Sequence, residues 1–438
     1  MFDYYLRLAL ASLRRNLAMT TLLVVAIGMG IGASMSLITV LHVMSGDPIP
    51  GLSAHLYVPH LDPRPLAAQK AVYGDASDNL TYIDAMALLK ARRATRQAAM
   101  AGGLVLMRDT PDSPAFKPSY VASRYVTADF FPMFHVPIHI GRALDDNDIA
   151  GHARVAVIDE VLAHRLFGDA DPLGRTLRFE HDAFTIVGTT AGWRPQPLFY
   201  NDIGGRGMFG DPDLVMLPLT TALDLDLSVN NTACWADPDH GANPHLGGEC
   251  SWLQFWVQLD DDRAASGYRD FLANYWREQK ATGRFERKEA ARLYRLDAWM
   301  DHAHLAPGDL QLQLWLALGF LAVCLLNIVA LLMAKFLRRS AEISIRRALG
   351  ARRTDIFVQL ATEALLIGMG GGLLGLAVTA GGLWSIRQRP DAYAHLAHLD
   401  ASMLLATLAL AVGSAVLAGL LPAWRACHVP PAMQLKIN

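Results

Sequence analysis

The sequence predicts a membrane α-helical protein with four transmembrane helices and a large α+β domain inserted on the far side of the membrane. Three observations predict it. Four apolar stretches are each long enough to cross a hydrocarbon core, and Arg and Lys gather at one end of those stretches. The long segment between the first and second stretch is polar and rich in turn residues.

A hydrocarbon core about 30 Å thick needs about 20 mostly apolar residues in a helix. Residues 18–45 meet that requirement, as do 311–335, 356–386 and 401–422. A buried core helix would account for any single run, but four of this length are too much for a soluble fold in a chain of 438 residues. The first run is too long for the apolar region of a cleaved signal peptide, and no small-residue cleavage site precedes Asp47 and Pro48. It is expected to remain as an anchor.

Orientation follows from the basic residues beside the spans. Arg7, Arg14 and Arg15 precede the first, and Arg425 and Lys436 follow the fourth. Seven basic residues lie between Lys335 and Arg353 against one acid, Glu342. The N-terminal segment 1–17, read as amphipathic, the link 336–355 and the tail 423–438 are therefore expected in the cytoplasm. The short loop 387–400 and the domain 46–310 fall outside. A formal net charge of −2 gives no reason to propose a nucleic-acid partner.

Within 46–310, strand-like runs recur at Ser119 to Val126, Arg154 to Ile158, Thr176 to Phe179, Phe184 to Thr189, Leu214 to Pro218 and Trp252 to Leu259. Helical patterns cover Thr81 to Arg93, Glu160 to Phe167 and Ala264 to Gln279. The stretch 201–250 is rich in Gly, Asp and Asn, reads as a long insertion, and matches no motif. Cys234 and Cys250 close a loop of about 15 residues there, and in an oxidising compartment their disulfide would contribute about 3 kcal/mol. His240 and His245 lie between them, but the spacing fits no standard zinc pattern, and no metal site is expected.

Smaller signals concern packing. Gly28, Gly32 and Ser36 form a small-residue stripe suited to close helix contact, and the glycines from Gly368 to Gly375 read the same way. Glu363 stands near the start of the third span and is expected at the interface, paired with Arg352 or Arg353. Asn327 is read as a donor or acceptor between helices, and His302, His304, His395 and His398 as surface residues. No residue constellation suggests a catalytic site.

The link between the second and third spans carries the strongest pattern. Ile343, Ile345, Ala348 and Leu349 give a basic segment one apolar side, and Gly350 is placed to stop a helix. A basic segment resting on anionic membrane lipid explains the charge, whereas a short helix docked in a partner's groove also explains the apolar side and the stop. The run Glu342 to Arg353 (EISIRRALGARR) resembles the signature of the MacB/FtsX-type ABC transporter permeases. GRALDDND (Gly141 to Asp148), ARVAVIDEVLAHRLFG (Ala153 to Gly168) and DPLGRTLRFEHDAFTIVGTT (Asp171 to Thr190) are similar to the MacB-type periplasmic core domain. The tail, Leu421 to Ala426 followed by Pro430 and Pro431, is a third match.

That resemblance implies a permease subunit of an export or extraction complex in a bacterial inner membrane, which transmits ATPase motion to a periplasmic domain. It implies a second permease copy or paralogue and two copies of an ABC ATPase, with a periplasmic adaptor and outer-membrane duct as further partners. The positions matching the ATPase-coupling segment are Glu342, Ile345, Arg346, Arg347, Gly350, Ala351 and Arg353. Some family members carry the ATPase on the same chain. No Gly-x-x-x-x-Gly-Lys-Ser/Thr loop occurs here, so ATP and Mg are expected on a separate chain and no cofactor on this one. An FtsX-like regulator of periplasmic cell-wall enzymes that moves no cargo is the alternative, and a membrane-anchored sensor without an ATPase is a third.

Overall fold

The structure is a computed structural model and describes residues 2–15, 17–44, 47–66, 78–108, 117–195, 197–200, 212–235, 243–288, 291–303, 310–338, 345–346, 349–388 and scattered positions between 405 and 416. The chain divides into two compact units. One combines Met1–Ser45 with Pro307–Asn438, and the other is Gly46–Ala306.

Two helices open the chain, α1 (Phe2–Arg15) and α2 (Leu17–Met44). The inserted unit then runs β1 (Leu56–His60), β2 (Leu80–Thr81), α3 (Tyr82–Ala91), β3 (Arg96–Met107), β4 (Ser119–Val126), α4 (Phe130–Met133), β5 (Ile138–Gly141) and α5 (Asp146–Ala150). It continues with β6 (Val155–Asp159), α6 (Glu160–Phe167), β7 (Thr176–Phe179), β8 (Asp182–Thr190), β9 (Val215–Pro218), α7 (Leu219–Asp224) and β10 (Ala233–Cys234). β11 (Cys250–Gln258), α8 (Asp262–Ala281), β12 (Arg292–Arg295) and α9 (Leu296–His302) complete it. The long helices α10 (Leu310–Arg338) and α11 (Arg353–Arg387) return the chain to the first unit.

The strands form one mixed sheet in the order β12-β1-β11-β3-β4-β9-β6-β8-β5, with β2 and β10 beside β11 and β7 bridging β3 and β8. Pairing is antiparallel except for β4 with β9 and β6 with β8. Successive side chains of a strand point to opposite faces, so a sheet covered on both sides needs two cores. Phe255 and Val257 of β11, Ala99 and Ala101 of β3, and Ala156 and Ile158 of β6 enter one core. Their alternates Trp256, Ala98, Met100 and Val157 enter the other, among Phe130, Phe134 and Phe199. Helix ends are fixed locally. Asp159 accepts from the Val161 N–H to start α6, and Asp261 accepts from Ala264 N–H to start α8.

Three described helices are long and apolar enough to cross a membrane: Leu17–Thr39 in α2, Trp315–Lys335 in α10 and Arg353–Ser385 in α11. The fourth expected span, 401–422, lies largely outside the described residues. α2 packs against both α10 and α11, and α1 lies along α11.

Candidate functional site

In the link between α10 and α11, Ile345 and Leu349 stand one helical turn apart, closed by the Leu349 N–H donating to the Ile345 carbonyl at 3.0 Å. Ile345 is 57% exposed and Leu349 83% exposed, on the same face of that turn. Gly350 adopts φ +102°, a left-handed conformation that favours glycine, and Ala351 N–H donates to the Arg346 carbonyl at 3.1 Å. The turn is tied back to α11 by Arg346, whose Nη1 donates to Gln359 Oε1 at 3.1 Å. Arg353 is exposed at the first residue of α11. Glu342 and Arg347 lie outside the described residues.

Behind this turn the helices meet at a buried charge pair. Glu363 of α11 is fully buried, Lys335 of α10 is 2% exposed, and their charged atoms stand 2.5 Å apart. Ser12 of α1 donates to the same carboxylate at 2.8 Å. The expected pairing of Glu363 with Arg352 or Arg353 is therefore corrected. Ten residues of helix separate Arg353 from Glu363, about 15 Å along the axis, which no Arg side chain spans from that position. Ser12 and Lys335 were missed because no spacing in the sequence links residues that meet only through helix packing.

The small-residue stripe of α2 lies against α11. A Cβ at Gly28 would meet Leu374 at 2.7 Å, and one at Gly32 would meet Val378 at 2.6 Å and the Gly375 carbonyl oxygen at 2.9 Å. Ser36 Oγ lies 2.8 Å from where a Cβ of Gly382 would stand. Thr379 Oγ1 donates to the Gly32 carbonyl at 3.2 Å. Asn327 is exposed on α10.

In the inserted unit the GRALDDND run is a folded device. Asp145 caps α5 by accepting from Asn147 and Asp148 N–H, while Asp148 accepts from the Asp145 N–H. Arg142 donates to both Asp148 oxygens, at 2.5 and 2.9 Å. That hydrogen bonding holds the Asp148 carboxyl below its ordinary pKa, against a smaller opposing effect of burial. Gly141 and Gly188 allow β5 and β8 to meet: a Cβ at Gly141 would stand 2.3 Å from the Val187 carbonyl oxygen. Arg124 of β4 is buried, with Nε donating to Asp213 at 2.7 Å and Nη1 to Gln254 at 3.1 Å, under the ring of Tyr200.

Cys234 and Cys250 face each other across the β10–β11 ladder, with their sulfurs 2.03 Å apart. His245 packs edge-on to Trp252, and burial lowers its pKa. His240, His304, His395 and His398 lie outside the described residues. His302, read from the sequence as a surface residue, is exposed; it stacks on Tyr294, and its Nε2 lies 3.2 Å from Asp78 Oδ1. His60 Nε2 approaches the same oxygen at 3.5 Å. No pattern in the sequence could have grouped residues 60, 78 and 302, because they lie on segments far apart along the chain that only the tertiary fold brings together.

Residues 20–269 match the model of the MacB-like periplasmic core domain, and residues 315–431 match the FtsX-like permease C-terminal domain. The macrolide export ATP-binding/permease protein MacB of Neisseria gonorrhoeae is 26% identical over 307 residues, which is 69% of this chain and 40% of that protein. The protein of the same name from Rhodospirillum rubrum is 24% identical over 99% of this chain and 60% of its own length. The chain thus spans about half the length of the curated relatives it matches. The solved periplasmic region of MacB from Actinobacillus actinomycetemcomitans aligns with 58% of this chain and 95% of its own, at 16% identity and a TM-score of 0.38. On its two domain matches the chain belongs to the MacB/FtsX-type ABC transporter permeases, which join transmembrane helices to a periplasmic domain.

Proposed function

We propose that this chain is the transmembrane subunit of an ATP-driven export or extraction complex in a bacterial inner membrane, passing ATPase motion to its periplasmic domain. The observation that carries the reading is the exposed apolar pair Ile345 and Leu349, held on a turn fixed by Gly350 and by Arg346. A pair of large apolar residues at helical spacing, flanked by Arg, suits a groove on a soluble partner. The partner is a separate ABC ATPase in two copies, carrying ATP and Mg, one on each of two permease chains. The basic link and both termini face the cytoplasm, and a periplasmic adaptor with an outer-membrane duct completes an exporting assembly.

Motion delivered to the Ile345–Leu349 turn passes through Arg346 and Gln359 into α11. From there the Ser12–Lys335–Glu363 cluster shares it with α1 and α10. Replacing Leu349 by Asp alters a side chain with almost no internal contact, and burying that charge against a partner should cost at least about 2 kcal/mol. The expected result is at least tenfold less ATPase co-purified with the full chain in mild detergent, with unchanged membrane insertion. Arg346→Glu with Arg347→Glu should likewise uncouple ATP hydrolysis. ATPase recovery and coupled rate equal to wild type in both variants would defeat the docking role.

The Cys234–Cys250 bridge belongs to the same reading, since a periplasmic domain folds in an oxidising compartment. Alkylation of the denatured chain without reductant should leave both cysteines unlabelled, and mass spectrometry showing label on either would remove the bridge.

A further inference from the structure

The cluster of His60, Asp78 and His302 has no part in the coupling just described. His60 ends β1, Asp78 stands two residues before β2, and His302 ends α9. Each residue offers one donor atom, and the three atoms all lie within 4.8 Å of one another.

Their separations decide between hydrogen bonding and coordination. Nε2 of His302 and Nε2 of His60 stand 3.2 and 3.5 Å from one and the same oxygen of Asp78. For an N–H donating to oxygen, 3.2 Å is the long end of the ordinary range and 3.5 Å lies beyond it. A tetrahedral zinc ion with bonds of about 2.0–2.1 Å keeps its donors about 3.4 Å apart. Two edges of the triangle already fit that figure, and the third, between the two imidazole nitrogens, is no longer than 4.8 Å.

Asp78 is partly exposed and His302 lies at the surface, but the surroundings hold both imidazole rings in place. His60 is almost buried, and its ring meets both Tyr294 and His302 edge-on, at 5.9 and 5.5 Å between centroids. The His302 ring lies flat on Tyr294 at 4.5 Å and against Trp299 at 6.0 Å. Aromatic packing of this kind fixes the direction of both imidazoles, as the outer shell of a metal site does.

We propose that His60, Asp78 and His302 form a site for a divalent transition-metal ion, zinc by its donor set. Two imidazoles and one carboxylate supply three ligands and leave a position for water, a set that suits zinc better than calcium or magnesium. The ion joins a strand near the start of the inserted unit to the helix that ends it. It therefore fastens the two ends of that unit to each other without disulfide chemistry.

The test uses the full chain, purified in detergent without a histidine tag, stripped with a chelator and dialysed against zinc chloride. Metal content by elemental mass spectrometry should reach about one zinc per chain more than in Asp78→Asn or His302→Gln. These variants keep size and hydrogen bonding while weakening binding by at least about tenfold. Zinc should also raise the thermal midpoint of the wild type and not of either variant, because a ligand held by the folded state stabilises it. Cobalt chloride in place of zinc should give a visible d–d spectrum in the wild type alone. Equal zinc content in wild type and both folded variants, or no zinc retained by the wild type, would overturn the site.

Discussion

The two units of this chain make their interiors by opposite means. In the inserted unit, large rings do the filling: Trp256 meets Phe134 at 5.8 Å and Phe199 at 5.0 Å between centroids, both edge-on. Between α2 and α11 the interface is made by leaving side chains out, so that Gly28, Gly32 and Gly371 let backbones approach where a single Cβ would collide. The difference follows from the solvent. Burying a ring removes it from water and gains hydrophobic free energy, whereas a helix leaving lipid gains nothing from apolar area alone and must gain from close contact. Deletion should therefore hurt one unit and addition the other.

The largest effect expected from that contrast is Trp256→Ala. Loss of a fully enclosed ring should cost about 3–5 kcal/mol, seen as a lower denaturant midpoint for the inserted unit by tryptophan-independent circular dichroism. A loss under about 1 kcal/mol would mean that the aromatic core collapses around the gap and that the contrast is overstated. Next comes Gly32→Leu, which adds atoms where Val378 and the Gly375 carbonyl already stand. Overpacking there should cost about 1–3 kcal/mol, measured as reduced thermal stability in detergent. Gly319 is a control, since a Cβ there meets nothing within 4 Å, and Gly319→Leu should be far milder.

The smallest effect concerns Asp148. Its folded pKa is depressed, so its contribution is present above the ordinary carboxylate value of about 3.9 and is lost as pH falls through the folded value. Arg142 is half exposed, which keeps the pair near the surface-ion-pair range, and Asp148→Asn should cost about 1 kcal/mol at pH 7. As pH falls through that folded value the variant and wild type should converge. A gap that persists in acid would assign the loss to the α5 cap instead of the charge.

Legibility differed by element for physical reasons. β4 and α6 stand where the pattern placed them, because alternation marks the first and Asp159 with Gly168 brackets the second. β3, the longest strand among the described residues, went unread. RQAAMAGGLVLM is rich in Ala and Gly, which have little strand preference, and pairing with β11 and β4 imposes the conformation. Gly103 is needed there because a Cβ would meet the Tyr125 hydroxyl at 2.4 Å and the Ser228 carbonyl at 2.2 Å, a crowding visible only in the fold. The link from Ile345 to Arg353 was legible as an apolar turn with a glycine stop. The partners of Glu363 were not, because Ser12 lies 351 residues away along the chain.

That carboxylate also governs how the membrane unit can move. Sliding α10 past α11 at this level would part an ammonium from a carboxylate where neither can find water, a loss of several kcal/mol for each charge. Rotating α1, α10 and α11 as one body leaves the cluster intact and costs none of this. The Ser12–Lys335–Glu363 cluster is in effect a rivet that ties α1, α10 and α11 together at one level.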